Sequence, residues 1–273
     1  MKLSIVLSVQ PSRFETAPFR GDLEKDLAYI AALGYDGVEL AIRDPNRVDH
    51  ERLLAVVERY GLAVPAIGTG RAWSEERLSL IHPKAAVRRA AIERVKAHIP
   101  LARRTGALVV VGLICGRMTP HQSREKAEAL LSEALTECAR AASEHSVRLV
   151  LEPLNRYETS LVNTVDQALE LLERVGTDSV GLLVDTFHMN IEEPSIEASV
   201  RKAASRILHV HVADSNRHAP GDGHLDFPSI VGSLREVGYQ GYLSGEFMAV
   251  PDGETAASRS IRFLRSLEGS PHG

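Results

Sequence analysis

Eight short runs rich in Val, Ile and Leu alternate with longer amphipathic stretches along this 273-residue chain. Runs of this composition are typical of strands that are covered on both faces. Strands that alternate with helices indicate a parallel sheet with right-handed crossovers. Eight such units favour closure into a (β/α)8 barrel, which typically takes about 250 residues. We predict strands at residues 2–9, 37–42, 62–67, 107–112, 147–152, 180–185, 207–212 and 242–246.

An open, doubly wound sheet is the alternative arrangement of the same elements. No G-x-G-x-x-G follows the first strand and no P-loop is present, so nothing favours nucleotide binding. The helix boundaries have clear signals. Thr164 and Gln167 form a predicted capping box, Gly176 marks the end of that helix, and Gly106 ends the helix before the fourth strand.

The composition is that of a globular protein, with 44% hydrophobic and 25% charged residues. We expect one domain over residues 1–273, because no linker or low-complexity segment divides the chain. The net charge of −4 gives no general attraction to nucleic acid or anionic membranes. The longest apolar run, residues 107–115, is shorter than the roughly 20 residues of a membrane span, and no signal peptide is recognisable. Two cysteines cannot build a disulfide framework. A cytoplasmic location follows as the expectation.

Four side chains that can bind a metal end the last four predicted strands: Glu152, Asp185, His211 and Glu246. In a barrel of this kind the functional residues lie at the carboxyl ends of the strands. Four neighbouring strands bring their last inward side chains to one mouth, so we predict that these four residues converge. The abrupt end of an apolar strand in Glu152, directly before a proline, is explained if this carboxylate binds a cation.

Each residue also has an ordinary structural interpretation when it is considered alone. Glu152 can form a salt bridge with Arg156, and Asp185 can cap the following turn. His209 and His211 share one face of a strand, so one of them can be a hydrogen-bonded core residue. We assign His211 as the ligand and His209 as its support from the layer below. The coincidence of four such residues at consecutive strand ends favours the metal site.

Three carboxylates and one imidazole make a hard, mainly oxygen donor set. This set suits Mn²⁺, Mg²⁺ or Co²⁺ better than a thiolate-rich zinc site would, and the cysteines contribute no ligand motif. We expect one divalent cation, with Mn²⁺ as the first choice.

The segments that carry these residues resemble the xylose isomerase-like TIM barrel superfamily, and within it the ketose 3-epimerases of the D-tagatose 3-epimerase type. They are LEPLNRYE (151–158), VDTFHMN (184–190), HVHVADSNRHAPGDGHLDF (209–227) and SGEF (244–247). The first half of the chain looks most like the 5-keto-L-gluconate epimerases, through DLEKDLAYIAALGYDGVELAIRDP (22–45) and AIGTGR (66–71). The resemblance therefore spans nearly the whole chain.

The resemblance implies a metal-dependent epimerase that inverts a carbon next to the ketone of a sugar through an enediolate. It implies metal ligation by the four strand-end residues, with Glu152 and Glu246 also serving as the acid/base pair. It further implies substrate contacts from Glu158, His188 and Arg217. Inversion requires that a proton leaves one face of the carbon and returns on the other, so two flanking groups are needed.

One stretch departs from the pattern. Many epimerases of neutral ketohexoses have an aromatic residue at the end of the first strand, where this chain has Ser8-Val9-Gln10. Arg71 and Arg117 follow the third and fourth strands and are candidates to pair with a substrate carboxylate. We therefore predict a ketose or a keto sugar acid as substrate, with Arg117 as a substrate-binding residue.

Four other functions use a similar framework. An aldose–ketose isomerase or an inosose-type dehydratase can use the same ligands. Abasic-site endonucleases of the same superfamily are expected to have a denser histidine cluster that binds several metals. A sugar-binding barrel without catalysis is disfavoured by the presence of both Glu152 and Glu246. The resemblance also suggests a homo-oligomer, and we expect no nucleic-acid or membrane partner.

Overall fold

The computed structural model describes residues 1–11 and 15–267. Eight parallel strands close into a barrel in chain order, and β1 pairs with β8 to complete it. The predicted (β/α)8 barrel is confirmed, and the open sheet is excluded. The strands are β1 (Lys2–Ser8), β2 (Gly37–Ala41), β3 (Ala66–Gly68), β4 (Leu108–Val111), β5 (Leu149–Leu151), β6 (Val180–Asp185), β7 (Ile207–Val212) and β8 (Tyr242–Gly245).

Helices surround the barrel and follow its strands. They are α1 (Leu23–Ala32), α2 (His50–Arg59), α3 (Arg71–Glu76), α4 (Ala85–Thr105), α5 (Arg124–Ser143), α6 (Val165–Val175), α7 (Thr186–Glu192), α8 (Ile196–Ala203), α9 (Phe227–Glu236) and α10 (Gly253–Ser266). The predicted capping box at Thr164 begins α6, and Gly176 ends it with a φ of 66°. Gly106 ends α4 in the same left-handed conformation, at a φ of 74°. No helix within the described ranges is both long and apolar enough to cross a membrane.

The third strand is the element that the sequence placed wrongly. We predicted residues 62–67, whereas β3 comprises only Ala66–Gly68. Pro65 has no backbone N–H and cannot donate to a sheet ladder. The residues before it touch β2 only through Ala63, whose carbonyl accepts from the Val38 N–H at 2.8 Å. The strand therefore begins after the proline.

The interior of the barrel is divided into an apolar floor and a polar mouth. Leu183 on β6 faces the same side as Asp185, because side chains two residues apart on a strand point the same way. Leu183 lies in a small apolar cluster with inward residues of the neighbouring strands, which are Ala66, Leu108, Val110 and Val150. This apolar floor lies below the polar strand ends, which are at the carboxyl side of the barrel.

Candidate active site

The four strand-end residues meet at one point in the barrel mouth. Each offers one donor atom, and these atoms all lie within 4.8 Å of one another. The His211 Nδ1 atom is at the centre: it lies 3.4 Å from Glu152 Oε1, 3.9 Å from Asp185 Oδ2 and 3.5 Å from Glu246 Oε2. The structure thus brings together the four residues that the strand pattern singled out. Their arrangement can hold a single cation.

The backbone of neighbouring strands sets the position of Glu152. Its N–H donates to the carbonyl of Val111 at 3.1 Å, which continues the ladder between β4 and β5 for one residue. Gly112 on the adjacent strand then leaves the space that the carboxylate fills. A Cβ atom at position 112 would lie 2.2 Å from Glu152 Oε2, which is far inside contact distance. A side chain at position 112 would therefore displace this carboxylate.

Two buried atoms of the cluster have no hydrogen-bond partner within the described residues. They are Glu152 Oε1 and His211 Nδ1, the pair separated by 3.4 Å. An unpaired buried polar atom costs about 1–3 kcal/mol, so such atoms call for an explanation. A cation bound between them would satisfy both. Three carboxylates with one imidazole also form a suitable donor set for a hard divalent ion, so the residues present fit a metal.

A further carboxylate of the mouth is that of Glu39, which sequence reasoning missed. It lies on β2, is 2% exposed, and accepts hydrogen bonds from His209 Nε2 at 2.8 Å and from Ser244 Oγ at 2.8 Å. His211 Nε2 lies 3.0 Å from both of its oxygens. The available signal was a carboxylate inside the apolar run Gly37–Ala41, which is the same signal that identified Glu152. His209 has the supporting position that we assigned to it.

Charges in the cluster shift the ionisation of its members. Burial opposes the ionised form of Glu39, but the charges of His211 and His209 outweigh it and hold its pKa below the ordinary value. Burial also opposes ionisation of Asp185, yet the adjacent Arg217 guanidinium lowers the pKa of this carboxyl to about 2. For Glu152, burial dominates and raises the pKa. Of these three carboxyl groups, Glu152 is the one whose pKa its surroundings raise.

Arg217 is the cation that this cluster already contains. Its Nη1 atom lies 2.5 Å from Asp185 Oδ2, and its Nη2 atom donates to Glu246 Oε2. The guanidinium also stacks over the Phe187 ring, 4.8 Å from the centroid. The side chain is 7% exposed and lines the cavity above the cluster. Arg217 is therefore placed both to neutralise carboxylates and to contact a bound molecule.

His188 and Glu158 form the wall beside the cluster. His188 Nε2 lies 3.7 Å from Asp185 Oδ2 and 4.0 Å from Glu152 Oε1. Its Nδ1 atom is 3.9 Å from Glu158 Oε1. Asn155, which the sequence pattern did not single out, lies between these two side chains and donates to both. Both predicted substrate contacts line the same cavity as Glu152, His211 and Glu246.

The cavity above the cluster opens to solvent, and its empty volume is about 620 Å³ when the space in the open mouth is included. Its polar floor is formed by the carboxylates and histidines. Its opposite wall is apolar or small, and comprises Val6, Ala41, Gly68, Leu113 and Leu154. A molecule with several oxygens on one side fits this division.

Arg71 lines the cavity but has no donor left for a ligand. Its Nε donates to Glu75 Oε1 at 3.0 Å, and its Nη2 donates to Glu75 Oε2 at 3.3 Å. The other donors bond the chain that follows β1: Nη1 reaches Ser8 Oγ at 2.9 Å and the Gln10 carbonyl at 3.0 Å, and Nη2 reaches the Pro11 carbonyl at 2.6 Å. A guanidinium has five donors, so all are used. Arg71 therefore fixes the segment after β1.

Arg117 lies outside the cavity wall. It is exposed, and its Nη1 donates to the Tyr157 carbonyl at 3.0 Å. This bond joins the segment after β4 to the segment after β5. The structure therefore does not bring Arg117 to the point where the other predicted site residues meet.

Fold and site together define a (β/α)8 barrel with a candidate metal centre at its carboxyl mouth. The chain belongs to the xylose isomerase-like TIM barrel family, whose sequence profile matches residues 27–267. It is 34% identical over 251 residues to an L-ribulose 3-epimerase of Mesorhizobium japonicum, a match that covers 91% of this chain and 83% of the relative. It is 29% identical over 257 residues to a 3-dehydro-D-guloside 4-epimerase of Escherichia coli, covering 89% and 94%.

Solved structures share the barrel fold of this chain. A structure of an L-ribulose 3-epimerase superposes with a TM-score of 0.84 at 28% identity and covers 100% of this chain and 99% of its own. A family 2 AP endonuclease from Brucella melitensis superposes with a TM-score of 0.80, over 96% of this chain and 99% of its own, but at 18% identity. That second likeness shows the fold alone.

Proposed function

We propose that this protein is a divalent-metal-dependent epimerase that inverts the carbon next to the ketone of a sugar. The carrying observation is the convergence of Glu152 and Glu246 on His211 Nδ1, at 3.4 and 3.5 Å, beside the cavity in the barrel mouth. The relatives named above as ketose 3-epimerase and keto-sugar 4-epimerase support the same reaction class.

The residues that would hold the cation are Glu152, Asp185, His211 and Glu246. When it is bound, such an ion acts as a Lewis acid and stabilises negative charge on a substrate oxygen, which is worth several kcal/mol. Mn²⁺ is our first choice because three of the four donors are carboxylates.

Glu152 and Glu246 supply the two proton-transfer groups. They follow β5 and β8, which are not neighbours in the barrel, so their carboxylates reach the cluster from separate directions. One carboxylate removes the proton from the carbon next to the ketone, and the other returns a proton to the opposite face. Positioned proton transfer of this kind contributes about 10²- to 10⁴-fold to a rate.

Glu158, His188 and Arg217 are the proposed contacts to the sugar oxygens. His188 and Arg217 can donate hydrogen bonds, whereas an ionised Glu158 accepts them from hydroxyls. All three line the cavity next to the cluster. Together they orient the sugar so that the reacting carbon lies between the two glutamates.

The cavity favours a neutral keto sugar over a keto sugar acid. Among the described residues that line it, the two guanidinium groups are those of Arg71 and Arg217. Arg71 has all five donors occupied, and Arg217 is paired with two carboxylates of the cluster. The contacts thus remove the support that Arg71 and Arg117 gave to an acidic substrate. A 5-keto-L-gluconate type of substrate stays a prediction from the resemblance.

The direct test is incubation of the Mn²⁺-loaded protein with L-ribulose, D-psicose and a set of ketohexuronates in D₂O. We expect exchange of one hydrogen next to the ketone together with inversion of that carbon, fastest on a neutral sugar. The matched control is Glu246→Gln, which keeps the size of the side chain and removes the base. An aldose product would identify an isomerase instead, and loss of water would identify a dehydratase.

The endonuclease alternative has weaker support. The mouth contains an excess of carboxylates, which repel the phosphates of a nucleic acid backbone. Cleavage of an abasic duplex by the same Mn²⁺-loaded protein would overturn the proposal. We further propose that the barrel is one domain over the whole chain and acts in the cytoplasm, and a homo-oligomer remains a prediction from the resemblance.

A further inference from the structure

Two buried histidines face the cavity, and each must present a particular ring atom to be useful there. In a neutral imidazole one nitrogen carries a proton and the other has a lone pair. A metal ligand has to offer the lone pair, whereas a hydrogen-bond donor to a sugar oxygen has to offer the proton. The group bonded to the far nitrogen decides which atom is presented.

Glu39 determines which ring nitrogen of His211 carries the proton. A carboxylate accepts hydrogen bonds and has no proton to give, and both Glu39 oxygens lie 3.0 Å from His211 Nε2. His211 Nε2 must therefore carry a proton. The opposite nitrogen, Nδ1, then has its lone pair free when a cation is bound, and it faces the three carboxylates of the cluster.

The orientation of the Asn155 amide is fixed by its own neighbours. Its Oδ1 accepts from the backbone N–H of Tyr157 at 2.9 Å. Its Nδ2 faces the carboxylate of Glu158 at 3.0 Å, where only a donor is stable. The amide cannot be turned over without losing both bonds. The side chain is 1% exposed, so water does not replace these partners.

Asn155 then determines which ring nitrogen of His188 carries the proton. The same Nδ2 group lies 2.7 Å from His188 Nδ1, and the backbone N–H of Asn155 lies 3.4 Å from it. Two donors require a lone pair on this nitrogen. The proton of neutral His188 is consequently on Nε2, the atom that lies 3.7 Å from Asp185 Oδ2 and faces the cavity floor.

We infer that Glu39 and Asn155 are positioning residues that make the two histidines present opposite atoms to the cavity. His211 presents a bare nitrogen for a cation, and His188 presents an N–H for a substrate oxygen. Both neutral rings carry their proton on Nε2. The partner of His211 lies at Nε2, however, whereas the partner of His188 lies at Nδ1. The catalytic consequence and the bare Nδ1 atom of His211 rest on the proposed function, whereas the position of the His188 proton does not depend on it.

The test reads the ring protons directly by ¹⁵N NMR of histidine side chains. In the metal-free wild-type protein we expect His188 to carry its proton on Nε2 and none on Nδ1. In the Mg²⁺-loaded protein we expect the His211 proton on Nε2. Signals are assigned by their loss in His188→Phe and His211→Phe. A proton on Nδ1 of His188, or on Nδ1 of His211 with Mg²⁺ bound, overturns the corresponding half of the inference.

Asn155→Asp replaces the donor by an acceptor of the same size. We expect a proton to appear on His188 Nδ1 in this variant. Asn163→Asp is the matched control, because Asn163 donates to the Leu154 carbonyl at 2.7 Å in the same segment and does not bond the ring. An equal change in both variants would show that general disturbance of the segment moves the proton, and would overturn the role of Asn155.

Glu39→Gln tests the other partner through metal binding. Loss of such a carboxylate behind a ligating histidine typically weakens metal binding about 10- to 100-fold. We expect this loss for Mn²⁺, measured from the free-ion EPR signal. Ser244→Ala is the control: it removes a donor to Glu39 at 2.8 Å and leaves the ring bond in place. We expect its Mn²⁺ affinity to fall by clearly less than that of Glu39→Gln, because the Glu39 carboxylate still accepts from His211 Nε2. Equal weakening in both variants would overturn the inference for Glu39.

The outcomes separate this inference from the proposed function. If the ring protons are found as expected and no sugar is epimerised, the proposed function fails and the positioning roles stand. If wild-type protein binds neither Mn²⁺ nor Mg²⁺, the metal site and the role of Glu39 both fail. The His188 measurement on metal-free protein still decides the role of Asn155 in that case.

Discussion

The two halves of the barrel contribute differently to the mouth. Strands β5 to β8 provide all four candidate ligands, and the segments after them provide Glu158, His188 and Arg217. Within the described ranges, β1 to β4 provide small or apolar wall residues and the supporting carboxylate Glu39. We call β5 to β8 with the segments after them the reactive half, because they carry the reactive groups. We call β1 to β4 with the segments after them the supporting half, because they make room for the substrate and orient a ligand.

Sheet register explains why the reactive groups converge in the second half. Asp185 pairs with His211 between β6 and β7, and His211 pairs with Ser244 between β7 and β8. Inward side chains at matched register lie at one level of the barrel. In the first half, Ala41 pairs with Gly68 between β2 and β3, and both of these small residues line the cavity. The cavity is the space that these small residues do not fill.

The largest expected effect tests the reactive half. Glu246→Gln keeps the size of the side chain but cannot accept a proton, so turnover should fall about 10²- to 10⁴-fold. The unfolding temperature should change little, because the substitution removes one charge from a crowded acidic cluster. Steady-state kinetics and calorimetry on the same preparation measure both quantities. Turnover near the wild-type value would remove Glu246 from the acid/base pair.

Arg71→Met tests the supporting half, and here we expect the stability of the fold to be the quantity that falls. Arg71 is 1% exposed and uses five donors, so its loss removes the donor to the buried Ser8 Oγ and one of the two guanidinium groups that bond Glu75. We expect a loss of about 3–5 kcal/mol in the free energy of unfolding, the usual cost of breaking a buried ion pair. Denaturant titration measures it, with the exposed Arg52→Met as control.

The same Arg71 variant also tests the substrate class. The ratio of turnover on neutral ketoses to turnover on ketohexuronates should stay at the wild-type value, because this guanidinium has no donor for a substrate. A selective loss on the acids would restore its role in carboxylate binding.

Gly112→Ala places an atom of the supporting half against a ligand of the reactive half. The new Cβ would lie 2.2 Å from Glu152 Oε2, so the carboxylate has to move. Overpacking of this kind costs about 1–3 kcal/mol, and we expect Mn²⁺ affinity to fall by about tenfold. The free-ion EPR signal measures the affinity.

The neighbouring strand offers the matched control for that variant. In Gly68→Ala the added Cβ would meet only Ala41 Cα at 3.9 Å and Glu39 Oε1 at 4.0 Å, which are ordinary contacts. Its Mn²⁺ affinity should therefore stay close to that of wild type. Equal losses in the two variants would mean that the space beside Glu152 is not what matters.

The smallest effect is expected for Arg117→Met. Arg117 is exposed and bonds only the Tyr157 carbonyl among its described contacts. Surface substitutions of this kind usually change stability by no more than about 0.5 kcal/mol. We expect turnover on neutral ketoses and on ketohexuronates to fall equally, by less than about twofold. Selective weakening on the acids would reinstate Arg117 as a substrate-binding residue.

The sequence by itself determined the barrel and the residues at its strand ends. Burial and period two fix which strand residues face inward, and parallel pairing in chain order puts the carboxyl ends at one mouth. Glu152, Asp185, His211 and Glu246 could therefore be identified without coordinates. Local capping signals such as that at Thr164 were equally sufficient, because the groups involved are only a few residues apart.

Only the tertiary structure decided what bonds what across the mouth. Glu39 meets His209 and His211 from β2, a strand that pairs with neither β7 nor its neighbours. Arg71 looked free because its partners lie partly on the segment after β1, some 60 residues earlier. Such contacts depend on how the closed barrel brings distant strands face to face, and no local pattern encodes that distance.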